Sequence, residues 1–238
     1  MMSVIRKIHK WLAIIVGLQL IIWLSSGLYL NIADATKASG RQYLVKTKPT
    51  VVDIASTVSV KSVLTQYPNA QSIKLITLLD KPFFLVTLEK GLYAHFPNRY
   101  QLVNAVQGNR IEIDSTFAAE LAQASYSGGG DISDVRIIET RPSAFPKQQN
   151  ASWQISFTDE VSTQVYIEAD SGRLIGHSND HKALAGLMLM LHFMDYGRIG
   201  SFNSWQMIFF ALIALWLSIS GMIMAVTFTK RNVQRLKI

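Results

Sequence analysis

The chain has 238 residues, 49% hydrophobic and only 16% charged, against roughly 25% charged in a soluble domain, which points to lipid. The net charge of +7 lies beside two apolar runs: Arg6, Lys7 and Lys10 precede the first, and Lys230, Arg231, Arg235 and Lys237 follow the second. All 16 acids fall between Asp34 and Asp195, where they balance the remaining basic residues; this overall neutrality argues against a nucleic-acid reading, which needs a basic face on the folded domain, and the lack of cysteine excludes disulfides and thiol nucleophiles.

Trp11 to Leu30 is an uncharged run of 20 residues, about 30 Å long as a helix, which matches the hydrocarbon core of a bilayer. Ala33-Asp34-Ala35 resembles a signal-peptide cleavage site, but the run exceeds the roughly 7–15 apolar residues of a signal peptide. An uncleaved anchor is expected. Trp205 to Phe228 forms the second run. Basic residues on both outer flanks place both termini in the cytoplasm by the positive-inside rule. The intervening region, about 170 residues, is large enough to fold without staples.

Residues 31–48 read as an extended linker. Val51 to Tyr67 reads as a helix with a gap near Ser56, ended by Pro68-Asn69. Strands are predicted near Ser72–Leu79, Phe83–Glu89 and Gly91–Phe96. A second unit starts with a short amphipathic helix, Ser115 to Ala124, capped by Asp114 and broken by Ser127-Gly-Gly-Gly130. Strands are predicted near Val135–Thr140, Ser152–Thr158 and Ser162–Glu168. Trp153, Ile155 and Phe157 alternate with polar neighbours, the pattern of a strand with one face buried. Asp159-Glu160 suits a hairpin, and Gly172 an unusual backbone angle in the turn that follows. Helix then antiparallel strands, twice, is an α+β arrangement with an internal repeat. Asn179 to Met194 reads as a helix lying on, or dipping into, the outer membrane surface.

The two apolar runs share a local pattern. Trp23-Leu-Ser-Ser-Gly27 recurs loosely as Trp216-Leu-Ser-Ile-Ser-Gly221. Small residues and serines of this kind suit close helix packing, and Ala214, Ser218 and Gly221 share a face.

Val165-Tyr-Ile-Glu-Ala-Asp-Ser-Gly-Arg-Leu-Ile175, after Trp153-x-Ile-x-Phe157, resembles the end of a PepSY domain. Arg6-Lys-Ile-His-Lys-Trp11, running into Gly17-Leu18 and Ser26-Gly27-Leu28, resembles the first helix of PepSY-associated transmembrane proteins; Leu191-His192-Phe193, a glycine-containing loop and a final span resemble their end. The resemblance covers nearly the whole chain. Larger relatives carry more membrane helices, and several are similar to ferric-siderophore reductases of the inner membrane that hold haem through membrane histidines. PepSY domains also occur in peptidase propeptides, as inhibitors or folding aids. With two spans, this chain departs from the pattern of a self-sufficient reductase.

The expected organisation is residues 1–31 as the first span, 32–110 as linker and first PepSY-like unit, and 111–176 as the second unit. Residues 177–203 form a membrane-surface helix and loop, 204–229 the second span, and 230–238 a basic cytoplasmic tail.

Five histidines are candidates for chemistry: His9, His95, His177, His181 and His192. His9 precedes the first span, and His192 lies near the opposite membrane face, about 30 Å away, so they cannot share one haem within one subunit. His181 and His192 stand about 16 Å apart on one helix and cannot either. His9 and His192 are therefore expected to ligate haem b only with a further subunit, in a homo-oligomer or larger membrane complex. His177 and His181, four apart, suit a metal site if both lie on one helix. His95 is expected at a strand end. No phosphate-binding loop, nucleophile elbow or dinucleotide fingerprint occurs.

Two functions follow as expectations for this inner-membrane, two-pass protein with its main domain outside. One is a subunit of a haem-linked electron-transfer or ferric-iron/siderophore reduction system. The other is a non-catalytic scaffold or accessory subunit whose PepSY domain binds a partner protein. A peptidase inhibitor is a third reading, by analogy with the propeptides.

Overall fold

The computed structural model describes residues 2–45, 51–93, 96–197 and 205–235. In chain order the elements are α1 (Met2–Ile32), α2 (Ala35–Ala38), a 3-10 turn (Ile54–Ser56), α3 (Val60–Gln66), β1 (Ser72–Leu78), β2 (Lys81–Glu89), β3 (Arg99–Asn104) and β4 (Arg110–Ile111). There follow α4 (Ser115–Ser125), β5 (Ile132–Ile138), β6 (Ser152–Phe157), β7 (Gln164–Glu168), β8 (Leu174–Ser178), α5 (Asp180–His192) and α6 (Trp205–Arg235). They form two compact units. One comprises residues 1–33 and 184–238, the other 34–183.

The first unit is the membrane unit. α1 and α6 contain spans of mean hydropathy 2.0 and 2.3, over Val4–Ile32 and Trp205–Lys230. Both helices run beyond the uncharged stretches because Lys and Arg are good helix formers. Val16, Ser26 and Ser220 are buried, whereas Trp11, Ile15, Leu18, Leu212 and Ile223 are exposed. A helix that is apolar on its exposed face belongs in hydrocarbon. His9, in the first third of α1, reaches Ser220 at the midpoint of α6.

The second unit holds two four-stranded antiparallel sheets, ordered β1-β2-β3-β4 and β5-β6-β7-β8. Each meander follows a helix, so the internal repeat is present. In the first sheet, alternation sends successive β2 side chains to opposite faces. Phe83 joins Leu102, α4 (Ala118, Leu121, Ala122) and the inner face of the second sheet (Ile155, Phe157, Val165, Ile167) in the main core. Phe84 and Val86 face the other way and pack with Val103, Ala105 and Val63 of α3. Burying a side chain such as Val63 stabilises by about 1.5–3 kcal/mol, and Val63 is the buried residue of α3.

Several local signals act as expected. Asp114 caps α4 by accepting from Phe117 N at 2.8 Å. Asp159 accepts from the amides of Val161 and Thr163 and closes the β6–β7 hairpin. Gly172 has φ of 70° in the turn before β8.

Other expectations are corrected. The single helix over 51–67 is a 3-10 turn capped by Asp53 and a separate α3 capped by Ser59. Caps inside the segment end one element and start the next. Residues 31–45 are not wholly extended, because Asp34 accepts from Thr36 N and Lys37 N and starts α2; residues 46–48 lie outside the described residues. Gly91–Phe96 is no strand: Gly91, Leu92 and Tyr93 are non-strand and Leu92 is 90% exposed. Ala94 and His95 lie outside the described residues. The third strand comes later, at Arg99–Asn104, and β4 and β8 were not expected. The β1–β2 turn uses Leu79 and Asp80 at φ of 48° and 61°, a two-residue primed turn that glycine or asparagine normally signals.

Candidate functional site

The second half of α5 packs its last residue, His192, against α1. The His192 ring stacks on Trp23, with centroids 5.3 Å apart and planes 15° apart. Gly27 provides the space, since a Cβ there would lie 2.9 Å from His192 Cε1. His192 Nδ1 lies 3.2 Å from the Trp23 carbonyl oxygen and 3.4 Å from Ser26 Oγ. A carbonyl only accepts, so Nδ1 carries the proton and donates. In the neutral ring Nε2 then keeps its lone pair, and it makes no hydrogen bond among the described residues. Beyond α5, Tyr196 donates its hydroxyl to Gln19 Oε1 at 3.0 Å. Gln19 lies seven residues before Ser26 in α1, about 10 Å along the helix axis. Residues 193–196 therefore descend along the span.

His9 repeats this arrangement with α6. Its Nδ1 lies 2.8 Å from Ser220 Oγ. Ser220 spends its one hydroxyl proton on the Leu217 carbonyl at 3.1 Å, so it accepts from His9 Nδ1–H. Nε2 of His9 again keeps its lone pair. The Trp216 ring lies 6.3 Å away at 42°, and a Cβ on Gly221 would lie 3.3 Å from His9 Cε1. A tryptophan, a serine and the glycine next to it thus cradle each histidine. Seventeen residues separate His9 from Ser26 on α1, which places the two cradles about 26 Å apart along that helix.

The recurrence of a tryptophan followed by Ser-Gly, Trp23 with Ser26-Gly27 and Trp216 with Ser220-Gly221, marks these cradles in the sequence, although it reads there as helix-packing chemistry. Its histidine partners lie far away in sequence, which conceals the pairing. Of the face Ala214, Ser218 and Gly221, only Gly221 meets a histidine. Ser218 donates within α6 to the Ala214 carbonyl at 2.9 Å.

The model of the family described as the PepSY-associated TM region matches residues 6–238. The chain belongs to that family. No curated protein and no solved structure matches it. The match takes in both spans and both histidine cradles of this PepSY-associated membrane protein.

The other two candidate ligands do not share a helix. His177 is on β8, opposite Val165, and His181 is in the first turn of α5. Asn179 separates them by accepting from Lys182 N at 2.9 Å, which starts the helix. His177 is 2% exposed. Ser125 donates to the Ala122 carbonyl and accepts from His177 Nε2 at 2.9 Å. His177 Nδ1 is buried without a hydrogen-bond partner among the described residues. Burial pushes the His177 pKa down to about 4, aided by the nearby Lys182 ammonium, so the ring is neutral. Lys182 donates to the His177 carbonyl at 3.3 Å and lies 3.4 Å over the Phe145 ring. Burial, then Arg41, lowers its pKa to about 8. Among the described residues no group of three or more His, Cys, Asp or Glu side chains is placed to hold a metal ion. His95 lies outside the described residues.

Proposed function

We propose that this PepSY-associated membrane protein is a small subunit of a haem-linked electron-transfer system of the inner membrane, serving ferric-iron or siderophore reduction. The observation that carries this reading is the common state of His9 and His192, each held through Nδ1 with Nε2 left to bind. Fixing one ring nitrogen with a hydrogen bond orients the other as a ligand. The donor chemistry fits haem b, whose iron, when bound, supplies a one-electron couple. Space within one chain does not suffice. The groove beside the His9 cradle, lined by Ile5, Trp216, Ile219, Ser220, Ile223 and Met224, measures about 210 Å³. Another chain, a second copy or a larger partner, completes each site in this reading. The chain's own residues orient the two imidazoles and keep their Nδ1 protons in place.

The basic flanks Arg6, Lys7, Lys10 and Lys230 support cytoplasmic termini and an outward main domain. Reporter fusions after residue 238 and within the β2–β3 connection report opposite sides of the membrane if this orientation holds.

The test of function is an absorption spectrum of protein purified with its complex intact from haem-replete cells, oxidised and then reduced with dithionite. A Soret band with sharp reduced α and β bands, lost in His9→Ala or His192→Ala, is the expected result. A blank spectrum leaves the accessory-subunit reading in its place.

A further inference from the structure

In the second unit, a polar cleft of about 380 Å³ opens between the end of β2, the β5–β6 connection and the β7–β8 turn. Its base is an ordered polar network. Glu168 is 2% exposed and accepts from Gln148 Nε2 at 2.9 Å, from Arg173 Nη2 at 3.0 Å and from Ser171 Oγ. Arg173 Nη2 also donates to Gln148 Oε1 at 3.1 Å. Asn150 is buried and grips Asn98, accepting from its amide at 2.9 Å and donating to its carbonyl at 2.6 Å. These bonds fix two loops against each other before any ligand arrives.

The charges of this cleft do not cancel. Lys90, Lys147 and Arg173 line it, and Glu168 is the one acid among the lining residues. Arg173 neutralises Glu168. Lys90 and Lys147 are exposed and make no ion pair among the described residues. Arg173 keeps its Nη1 without a hydrogen bond there. Two positive charges therefore remain, on a domain whose acids and bases balance overall. A concavity of this size takes small molecules. A guanidinium edge with spare donors matches an oxyanion, and two unpaired ammonium groups match a second one.

We infer that this cleft binds a small organic anion bearing at least two carboxylate or phosphate groups. One group faces Arg173 and the other the Lys90 and Lys147 pair. Because Gln148, Asn150 and Glu168 are already held, the base of the cleft needs no reordering on binding, and the ordering cost is confined to the Lys90 and Lys147 side chains. The inference does not depend on the haem reading, since none of these residues lies in the membrane unit.

Calorimetric titration of the full-length protein in zwitterionic nanodiscs with citrate, at constant ionic strength, tests this. Binding is expected, weakened at least about tenfold in Lys90→Gln/Lys147→Gln. It is expected to be unchanged in Lys61→Gln/Lys74→Gln, which removes the same charge elsewhere on the domain. Inorganic phosphate, with a single oxyanionic group, is expected to bind more weakly by a similar factor. Both double variants alter exposed lysines, so an unchanged melting temperature accompanies them. Absence of citrate binding, equal loss in the two double variants, or equal binding of phosphate would each overturn the inference.

Discussion

His192 Nδ1 lies 3.2 Å from the carbonyl oxygen of Trp23, a group that has no proton to give. That single contact sets the tautomer of the ring. At the other cradle, Ser220 does the same for His9 by giving its own proton to Leu217. In its neutral form each imidazole is therefore expected as the Nδ1–H tautomer. Two-bond 15N–1H correlation spectra of selectively labelled protein read this directly. Nε2–H signatures for either ring would contradict the arrangement.

The glycines beside these serines differ in how closely the rings approach. A Cβ at Gly27 meets His192 Cε1 at 2.9 Å, whereas at Gly221 the nearest His9 atom is 3.3 Å away. Gly27→Ala is therefore expected to push His192 off Trp23, while Gly221→Ala is absorbed by a small shift of His9. The tautomer spectrum checks both variants: the His192 signals move in the first, and the His9 signals stay nearly in place in the second. Equal perturbation of both rings would show that the cradles are looser than these distances imply.

Ser220→Ala removes the acceptor of His9 Nδ1–H and leaves that proton unpaired beside α6. The cost is about 1 kcal/mol. Ser26→Ala is milder, because His192 still has the Trp23 carbonyl. Unfolding in a detergent-denaturant series orders the two variants, and a larger loss in Ser26→Ala would reverse the assignment of which contact holds which ring.

The sequence carries these features unevenly, for physical reasons. Apolar length and flanking charge mark α1 and α6, since a membrane span depends on little else. Asp114 and the alternation from Ser152 to Phe157 mark α4 and β6, because caps and period-two patterns are local. β3 is different. Its residues Gln101, Leu102 and Val103 are all buried, so no alternation shows, and the aromatic run after Gly91 imitates a strand instead. The β1–β2 turn hides for another reason, since Leu79 and Asp80 adopt positive φ without glycine. The histidine cradles are half visible. The recurrence of a tryptophan followed by Ser-Gly is plain, but its histidine partners lie 211 and 166 residues away from Ser220 and Ser26, a separation that no local rule spans. His177 misleads because its spacing from His181 imitates a helical pair while Asn179 starts the helix between them.

His177 gives the domain a pH dependence of its own. Its folded pKa, about 4, lies below the unfolded value near 6.5. The unfolded chain therefore binds the extra proton first as pH falls. Stability is full above about pH 6.5, declines through the window down to about 4, and changes no further through this group below that. The loss is expected to reach about 3 kcal/mol. Denaturation of the wild type and of His177→Gln between pH 4 and 7 checks it. The variant is less stable at pH 7 but has a flatter profile across this window.

Glu168 works at lower pH and with a different partner. Burial by itself raises the pKa of this carboxyl. The hydrogen bonds from Arg173, Ser171 and Gln148 outweigh that and hold it below the ordinary glutamate range. A depressed folded pKa means that the stabilisation is fully present above the unfolded value near 4.3 and is lost as pH falls through the folded one. The Glu168 window thus starts where the His177 window ends. Glu168→Gln keeps the shape but loses the charge-assisted bonds, at a cost of about 2 kcal/mol. Arg173→Ala costs more, about 3 kcal/mol, because it leaves a buried carboxylate against Gln148 without its cation. Acid titration separates the causes: the Arg173→Ala protein gains relative to wild type as Glu168 protonates, whereas Glu168→Gln shows no step of its own below pH 4. If Arg173→Ala proves the milder change, Gln148 and Ser171 rather than Arg173 hold the charge.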